Sequence, residues 1–181
     1  MSTANTPSRY SSASIAMHWL MLLLIIGVYA CIELRELYPK GSDPREALKS
    51  WHFTLGLTVF ALVWLRLVLR LVTPTPPIEP TPPGWQNILA KIMHIALYAL
   101  MIAMPVAGWL ILSGEGKPIP FWGLDLPALM GKNKELAHTL EEIHETAGVV
   151  GYYLIGLHAA ASLYHHYLVK DNTLVRMLPG P

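Results

Sequence analysis

The sequence predicts an all-α, integral membrane four-helix bundle. Hydrophobic residues make up 53% of the chain and charged residues only 14%, whereas a soluble domain carries about 25% charged residues. Four apolar runs each approach the roughly 20 residues that a membrane-spanning helix needs. Polar or proline-rich segments separate these runs. The 181 residues therefore suit one domain, 1–181, and the single cysteine, Cys31, excludes an internal disulfide framework.

Each apolar run has its own pattern. The first is uncharged up to residue 32, and the second contains Arg66 and Arg70 near its end. The third contains Pro105, which predicts a kink, and the fourth contains no Lys, Arg, Asp or Glu. The predicted spans are, approximately, residues 15–34, 51–72, 88–113 and 146–169.

The three connections differ in composition. Residues 38–49 are polar, and residues 73–84 contain six prolines, which predicts a stiff, extended linker rather than a helix. Residues 114–145 form the longest connection and have room for a short helix at residues 132–142. The first run is expected to remain as a span because it lacks a signal-peptide cleavage pattern and three more spans follow it. Four spans place both termini on one side.

Charge does not fix the orientation in the membrane. The terminal side carries six Lys and Arg residues and the opposite side carries seven. These counts are too similar for the positive-inside rule to indicate an orientation. No basic run predicts binding to nucleic acid. The chain also lacks a Cys-x-x-Cys-His sequence, which excludes covalent c-type haem attachment.

Histidines are the most informative residues, because ionisable groups inside a membrane are costly and usually functional. Seven of the eight histidines fall within or at the edge of a predicted span. His52 and His144 begin the second and fourth spans, near the opposite side. His18 lies at the start of the first span, and His158 lies 14 residues after His144, a helical rise of about 21 Å. The histidines thus form two depth-matched pairs.

These pairs predict two haem groups, stacked through the membrane and each held by two imidazoles. Fourteen residues return almost to the same helix face, so His144 and His158 can both point into the bundle, and facing helices can hold haem in this way. Gly56 and Gly148 complete two copies of His-x-Thr-x-Gly, in which the glycine leaves room for a porphyrin. Arg66 lies at the depth of the second pair and would neutralise haem propionates.

Other interpretations of the same residues stay open. A single histidine at a helix end is commonly an interfacial residue, and Arg66 could extend to the membrane surface. His94 competes with His18 for the second iron. A quinone needs hydrogen-bond donors near the interface, which makes the possible quinone-site residues His94, His165 and His166. His138 is expected in a solvated loop.

The chain resembles the bacterial cytochrome b561 family over essentially its whole length. The resemblance rests on residues 15–19 (IAMHW), His52 with Gly56, 66–77 (RLVLRLVTPTPP), 144–146 (HET), 156–167 (GLHAAASLYHHY) and 170–174 (KDNTL). It implies a bacterial inner membrane protein with cytoplasmic termini, two haem b groups and quinone as a redox partner. The implied ligands are His18, His52, His144 and His158. Similarity to the enterobacterial di-haem members implies oxidation of periplasmic superoxide and reduction of ubiquinone.

Three functions follow as hypotheses. The first is a self-contained superoxide:ubiquinone oxidoreductase, with possible steering of superoxide by Arg35, Lys40, Arg45 and Lys49. Acidic neighbours of these four residues weaken that steering. The second is an electron-transfer and anchor subunit that serves a separate dehydrogenase or cytochrome, because the chain itself has no nucleotide fingerprint. The third is a haem-free transporter of metal ions or protons that uses the histidines as a relay.

Overall fold

The computed structural model describes residues 8–180 and contains four long helices. All four are long and apolar enough to cross a membrane, which confirms the predicted fold class. They are α1 (Ser12–Leu34), α2 (Asp43–Val72), α3 (Gly84–Glu115) and α4 (Lys134–Tyr164). Short helical turns follow α1 at Arg35–Leu37 and α4 at His165–Val169, and another covers Val175–Met177.

Local sequence explains several helix ends. The side chain of Ser11 accepts a hydrogen bond from the backbone N–H of Ser14, and Asn133 does the same for Leu136; such caps satisfy N–H groups that lack a partner within the helix. α3 ends at Gly116, whose φ of 70° is the left-handed conformation that favours glycine. α3 is continuous through Pro105, and the kink there stays a prediction.

The connections differ from the sequence prediction in three places. α2 begins at Asp43, so much of the polar segment 38–49 is helical. The predicted separate helix at 132–142 is wrong, because these residues form the first turns of the continuous α4. His138 therefore lies on a helix rather than in a loop, although its side chain is exposed. Of the predicted linker 73–84, residues 73–83 are non-helical, and Gly84 begins α3.

A small hairpin that the sequence analysis missed covers the end of the bundle opposite the termini. β1 (Pro120–Phe121) pairs with the antiparallel β2 (Leu124–Asp125). Its turn residue Trp122 has a positive φ, and the indole N–H donates to Thr58 Oγ1 at 3.0 Å. The hairpin thereby ties the loop after α3 to α2.

The helices pack as neighbours in chain order, and protein covers only a small part of their apolar surface. α1 packs against α2, α2 against α3, and α3 against α4. A core cluster of Met21, Val59 and Val63 holds α1 to α2, and a second cluster lies beneath the hairpin around Leu57 and Leu112. Within the apolar windows of the four spans, only 6–17% of residues are buried by protein. Most of each span therefore faces outward in the protein alone, as expected for apolar helices that contact lipid.

Candidate functional site

At the end opposite the termini, hereafter the opposite end, His52 of α2 faces His144 of α4. Their ring centres are 6.2 Å apart and both side chains are half-buried. Nδ1 of His52 lies 2.9 Å from the carbonyl oxygen of Val28. A carbonyl can only accept, so Nδ1 carries the proton and Nε2 keeps a free lone pair. The hydrogen bond at Nδ1 therefore fixes the tautomer in which Nε2 can ligate a metal.

At the end of the bundle that carries both termini, hereafter the terminal end, three imidazoles meet. His158 lies 6.3 Å from His18 and 5.6 Å from His94, measured between ring centres. His18 and His158 are half-buried, whereas His94 is exposed in the protein alone. His94 therefore lies beside the predicted pair of His18 and His158, and His158 has two imidazoles close enough to share a metal with it.

Both predicted pairs fit a haem iron held by two imidazoles. A metal–imidazole bond of about 2 Å on each side places the ring centres roughly 6.3 Å apart. The distances of 6.2 and 6.3 Å match this separation, and the 5.6 Å of the His94 pair matches less well. α4 is continuous between His144 and His158, so the pairs are separated along the helix as predicted. The fit concerns the donors, and their role as ligands stays a prediction.

Glycines keep space open beside the histidine pairs. A Cβ built at Gly56 would meet no atom within 4 Å, and one at Gly148 would reach Met104 at 3.8 Å. On α3, a Cβ at Gly108 would lie 3.7 Å from His144. Protein atoms therefore leave the surroundings of Gly56 unfilled, which agrees with the space that a planar ring system would need.

Arg66 contacts His18 directly. Its Nη2 lies 3.0 Å from Nδ1 of His18, and because a guanidinium only donates, Nδ1 accepts and the proton of the neutral ring is on Nε2. Axial ligation through Nε2 requires the opposite tautomer. If His18 held an iron through Nε2, its Nδ1 would no longer accept from Arg66, and the guanidinium could then pair with a haem propionate.

Two tyrosines link α1 to α4 between the histidine pairs. Tyr29 donates to the carbonyl oxygen of Gly148 at 2.8 Å, and Tyr152 donates to Glu33 at 2.7 Å. The two rings stack with centres 4.2 Å apart. The main packing partner of α4 is α3, so these contacts hold the more open seam with α1 at a fixed width.

The C-terminal segment, residues 170–178, folds back under the terminal end. Asn172 exchanges hydrogen bonds with the backbone of Glu79 at 2.9 and 3.1 Å. The indole N–H of Trp19 donates to the carbonyl oxygen of Met177 at 2.8 Å, and the buried Arg176 donates to the carbonyl oxygen of Pro76 at 2.5 Å. The segment thus closes the bundle against the proline-rich linker.

This fold-back creates a carboxylate–imidazole pair that the sequence analysis missed. Nδ1 of His165 lies 2.5 Å from Oδ2 of Asp171, whose side chain is 0% exposed. Oδ1 of the same carboxylate accepts from the backbone N–H of Thr173 at 2.8 Å. Burial acts to raise the pKa of Asp171, but the hydrogen bonds from His165 and Thr173 outweigh it and hold that pKa below its usual value. His166, the adjacent residue, is half-buried.

Cations at the opposite end are largely paired. Arg35 and Arg45 both contact Glu36, at 3.0 and 2.8 Å, and Lys49 contacts Glu46 at 2.8 Å. Arg45 is buried and also donates to two backbone carbonyls. Of the four predicted steering residues, Lys40 is the one that makes no ion pair within the described part of the chain. Arg45, in the first turn of α2, therefore fastens the loop that contains Arg35 and Tyr38.

Cations at the terminal end lack such partners. Within residues 8–180, none of them lies within 4 Å of a carboxylate. Arg70 and Arg176 instead each place a guanidinium carbon 5.6 Å from the ring centre of Tyr10. The other members of the group are Arg9, Arg66, Lys91 and Lys170.

The chain matches a known protein family over nearly its whole length. Residues 9–180 match the family model described as prokaryotic cytochrome b561. The chain is 39% identical over 172 residues to cytochrome b561 homolog 1 of Escherichia coli (strain K12), covering 95% of this chain and 98% of the relative. It is 41% identical over 171 residues to the probable superoxide oxidase CybB of Yersinia pestis, covering 94% and 96%. Cytochrome b561 homolog 2 of Escherichia coli (strain K12) is 30% identical over 179 residues, covering 98% of this chain and 95% of the relative.

Proposed function

Because the chain belongs to the prokaryotic cytochrome b561 family, whose members are haem b-binding electron-transfer proteins of bacterial membranes, we propose that it is a superoxide:ubiquinone oxidoreductase of the inner membrane. The net reaction is balanced when two superoxide anions each lose one electron. One ubiquinone gains those two electrons and two protons, and the products are two O₂ and one ubiquinol.

One observation carries the proposal: two histidine pairs, with ring centres 6.2 and 6.3 Å apart, share the single helix α4. His52 and His144 would hold one haem b, and His18 and His158 would hold the other. When bound, haem b supplies one-electron redox chemistry. The 14 residues between His144 and His158 correspond to a rise of about 21 Å, which supports an electron path across much of the membrane.

At the opposite end, the protein's own residues set the approach of superoxide. The carbonyl oxygen of Val28 orients His52, and ion pairs remove most of the local positive charge. Lys40 is exposed, and among the four predicted steering residues its charge is the one left available to attract an anion. The printed name of the Yersinia pestis relative, a probable superoxide oxidase, supports superoxide as the electron donor.

At the terminal end, His94, His165 and His166 are the proposed contacts for ubiquinone. We assign this end to the cytoplasm, and the opposite end to the periplasm. The cations at the terminal end lack carboxylate partners within the described residues. The anionic cytoplasmic leaflet attracts such free cations, which supports the assignment that the family resemblance implies.

Stopped-flow visible spectroscopy of the purified, oxidised, haem-loaded protein tests the function. Mixing with superoxide should reduce the b-type bands within milliseconds, and ubiquinone should then reoxidise them with formation of ubiquinol. Superoxide dismutase added beforehand is the control and should abolish the first phase. Dithionite-reducible bands without a fast superoxide response would contradict the proposal. That result would favour an electron-transfer subunit with a separate donor, and a colourless protein would favour the haem-free transporter.

A further inference from the structure

The reduction of a quinone needs protons as well as electrons, and the terminal end contains a group built to supply them. His165 and Asp171 form a pair at 2.5 Å in which the carboxylate is fully buried and the imidazole is 18% exposed. The second carboxylate oxygen is held by the backbone N–H of Thr173. The Nδ1 edge of the imidazole is thus fixed by the protein, while part of the ring stays accessible from outside the protein.

We propose that His165 donates protons to ubiquinone through Nε2, and that Asp171 is the positioning residue that fixes and supports the imidazole in this role. This inference rests on the proposed function, because it assumes that ubiquinone is reduced at the terminal end. Each transfer breaks the Nε2–H bond and forms one O–H bond on the quinone oxygen. The ring then takes up a proton from the solvent. Two such transfers, one to each quinone oxygen, accompany the two electrons, so that two solvent protons are consumed for each ubiquinol.

The backbone around the pair is arranged to hold it. The turn His165–Val169 follows α4 directly and ends at Lys170, whose φ of 60° reverses the chain. The N–H of Asp171 then donates to the carbonyl oxygen of His165 at 3.2 Å. Left-handed conformations are uncommon for residues other than glycine. Lys170 adopts this conformation, and the resulting reversal of the chain brings the carboxylate of Asp171 next to the imidazole of His165.

The carboxylate does two things for the imidazole. It accepts from Nδ1, so that the tautomer with a proton on Nδ1 is the stable one after Nε2 has lost its proton. It also stabilises the doubly protonated ring that precedes each transfer. A carboxylate that orients a histidine in this way is a recurrent arrangement in proton-transferring sites.

Other charged groups surround the pair and act on the same equilibrium. Arg176 from the C-terminal segment is close enough to Asp171 to be affected by its charge, and Tyr10 and Arg70 lie next to Arg176. These cations oppose a positive imidazole, so the adjacent carboxylate is needed to balance them. The titratable and charged groups nearest the pair, in space or along the chain, are Tyr10, Arg70, Tyr164, His166, Lys170 and Arg176.

The test uses the full-length, haem-loaded protein, reduced with dithionite and mixed with a short-chain ubiquinone over a range of pH. In Asp171→Asn the amide keeps the size of the side chain and an oxygen for the N–H of Thr173. We expect kcat to fall about ten- to a hundredfold with little change in KM. The pH profile of the rate should also differ from that of the wild type, because the partner of Nδ1 no longer carries a negative charge.

Two further variants separate this role from a purely structural one. Asp171→Glu should recover part of the rate and of the pH profile. Asn172→Ala is the matched control, because it removes the contacts with Glu79 and Pro77 without touching His165. It should leave the pH profile unchanged. Hydrogen exchange of residues 170–178 reports the docking of the segment independently of activity.

The outcomes are distinguishable. If the wild-type reduced protein passes no electrons to ubiquinone, the proposed function fails and this inference fails with it. If the wild type reduces ubiquinone and Asp171→Asn does so at the same rate and with the same pH profile, only the role of the pair is overturned. An equal loss in Asn172→Ala, with the same shift in profile, would also overturn it.

Discussion

The two ends of the bundle are built differently. At the opposite end one histidine pair is present, His52 is fixed by a backbone carbonyl, and the nearby arginines are paired with Glu36. At the terminal end three imidazoles meet, an arginine occupies Nδ1 of His18, and the cations lack carboxylate partners among the described residues. The carboxylate–imidazole pair also lies at the terminal end.

This difference follows the chemistry proposed for each end. The oxidation of superoxide to O₂ releases an electron and consumes no proton, so the opposite end needs a fixed ligand pair and little else. The reduction of ubiquinone consumes two protons, and a group that carries them is useful only where the quinone binds. The terminal end also has hydrogen-bond donors and cations without carboxylate partners among the described residues. These groups suit contact with haem propionates and with the anionic leaflet of the membrane.

The largest effect that tests the comparison is the loss of a haem from one end. His144→Ala and His158→Ala should each lower the haem content from about two per protein to about one, because a missing axial ligand leaves the iron held from one side only. The pyridine haemochrome assay measures this ratio, and circular dichroism verifies that the helices remain. His138→Ala, with an exposed side chain on the same helix, is the control. Full haem content in both variants would refute the ligand assignment.

The second prediction separates the two partners of His158 at the terminal end. We expect His18→Ala to lose one haem, because the 6.3 Å separation fits two imidazoles on one iron. His94→Ala should keep both haems and slow the reduction of ubiquinone about tenfold, as expected for a lost hydrogen-bond donor. The haem content and the rate of quinone reduction are measured on the same samples. Loss of haem in His94→Ala, with retention in His18→Ala, would reverse the two roles.

The sequence predicted what depends on helix geometry and on hydropathy. The four spans are confirmed because a membrane requires about 20 apolar residues in each. The approach of His144 to His52, and of His158 to His18, follows from the fixed rotation of 100° per residue. The predicted ligand and quinone roles of these histidines are a separate matter and stay predictions.

The features that the sequence analysis missed depend on contacts between distant residues. The pairing of His165 with Asp171 depends on a left-handed Lys170 and on the backbone N–H of Thr173, and neither has a local signature of its own. The early start of α2 did have a signal, since Ser42 precedes an acidic first turn with a proline, a pattern typical of helix starts. The hairpin turn at Trp122 and Gly123 also had one, the glycine.

The third prediction concerns the loop at the opposite end. Arg45→Met should destabilise the protein by about 1–3 kcal/mol, because the carbonyl oxygens of Arg35 and Tyr38 would lose their buried donor. The midpoint of thermal unfolding in detergent measures the effect. Lys40→Met, at an exposed position of the same loop, is the matched control and should stay within about 0.5 kcal/mol of the wild type. Equal stability of the two variants would show that Arg45 does not fasten the loop.

The smallest effect is an acid-induced weakening of the docked C-terminal segment. The pKa of Asp171 is lowered from 3.8 because the hydrogen bonds from His165 and Thr173 outweigh its burial. A carboxyl group whose pKa is lowered in the folded state adds stability above its ordinary pKa, and this stability is lost as the pH falls through the lowered value. The docking of residues 170–178 should therefore weaken below about pH 4. The loop around Arg45 loses its ion pairs in a similar range, because the hydrogen bond from Arg45 lowers the pKa of Glu36, but it keeps its backbone hydrogen bonds. Hydrogen exchange of the two segments, corrected for intrinsic rates, measures the difference. Asp171→Asn should remove the pH dependence of the terminal segment, and an unchanged dependence in that variant would show that another group controls the docking.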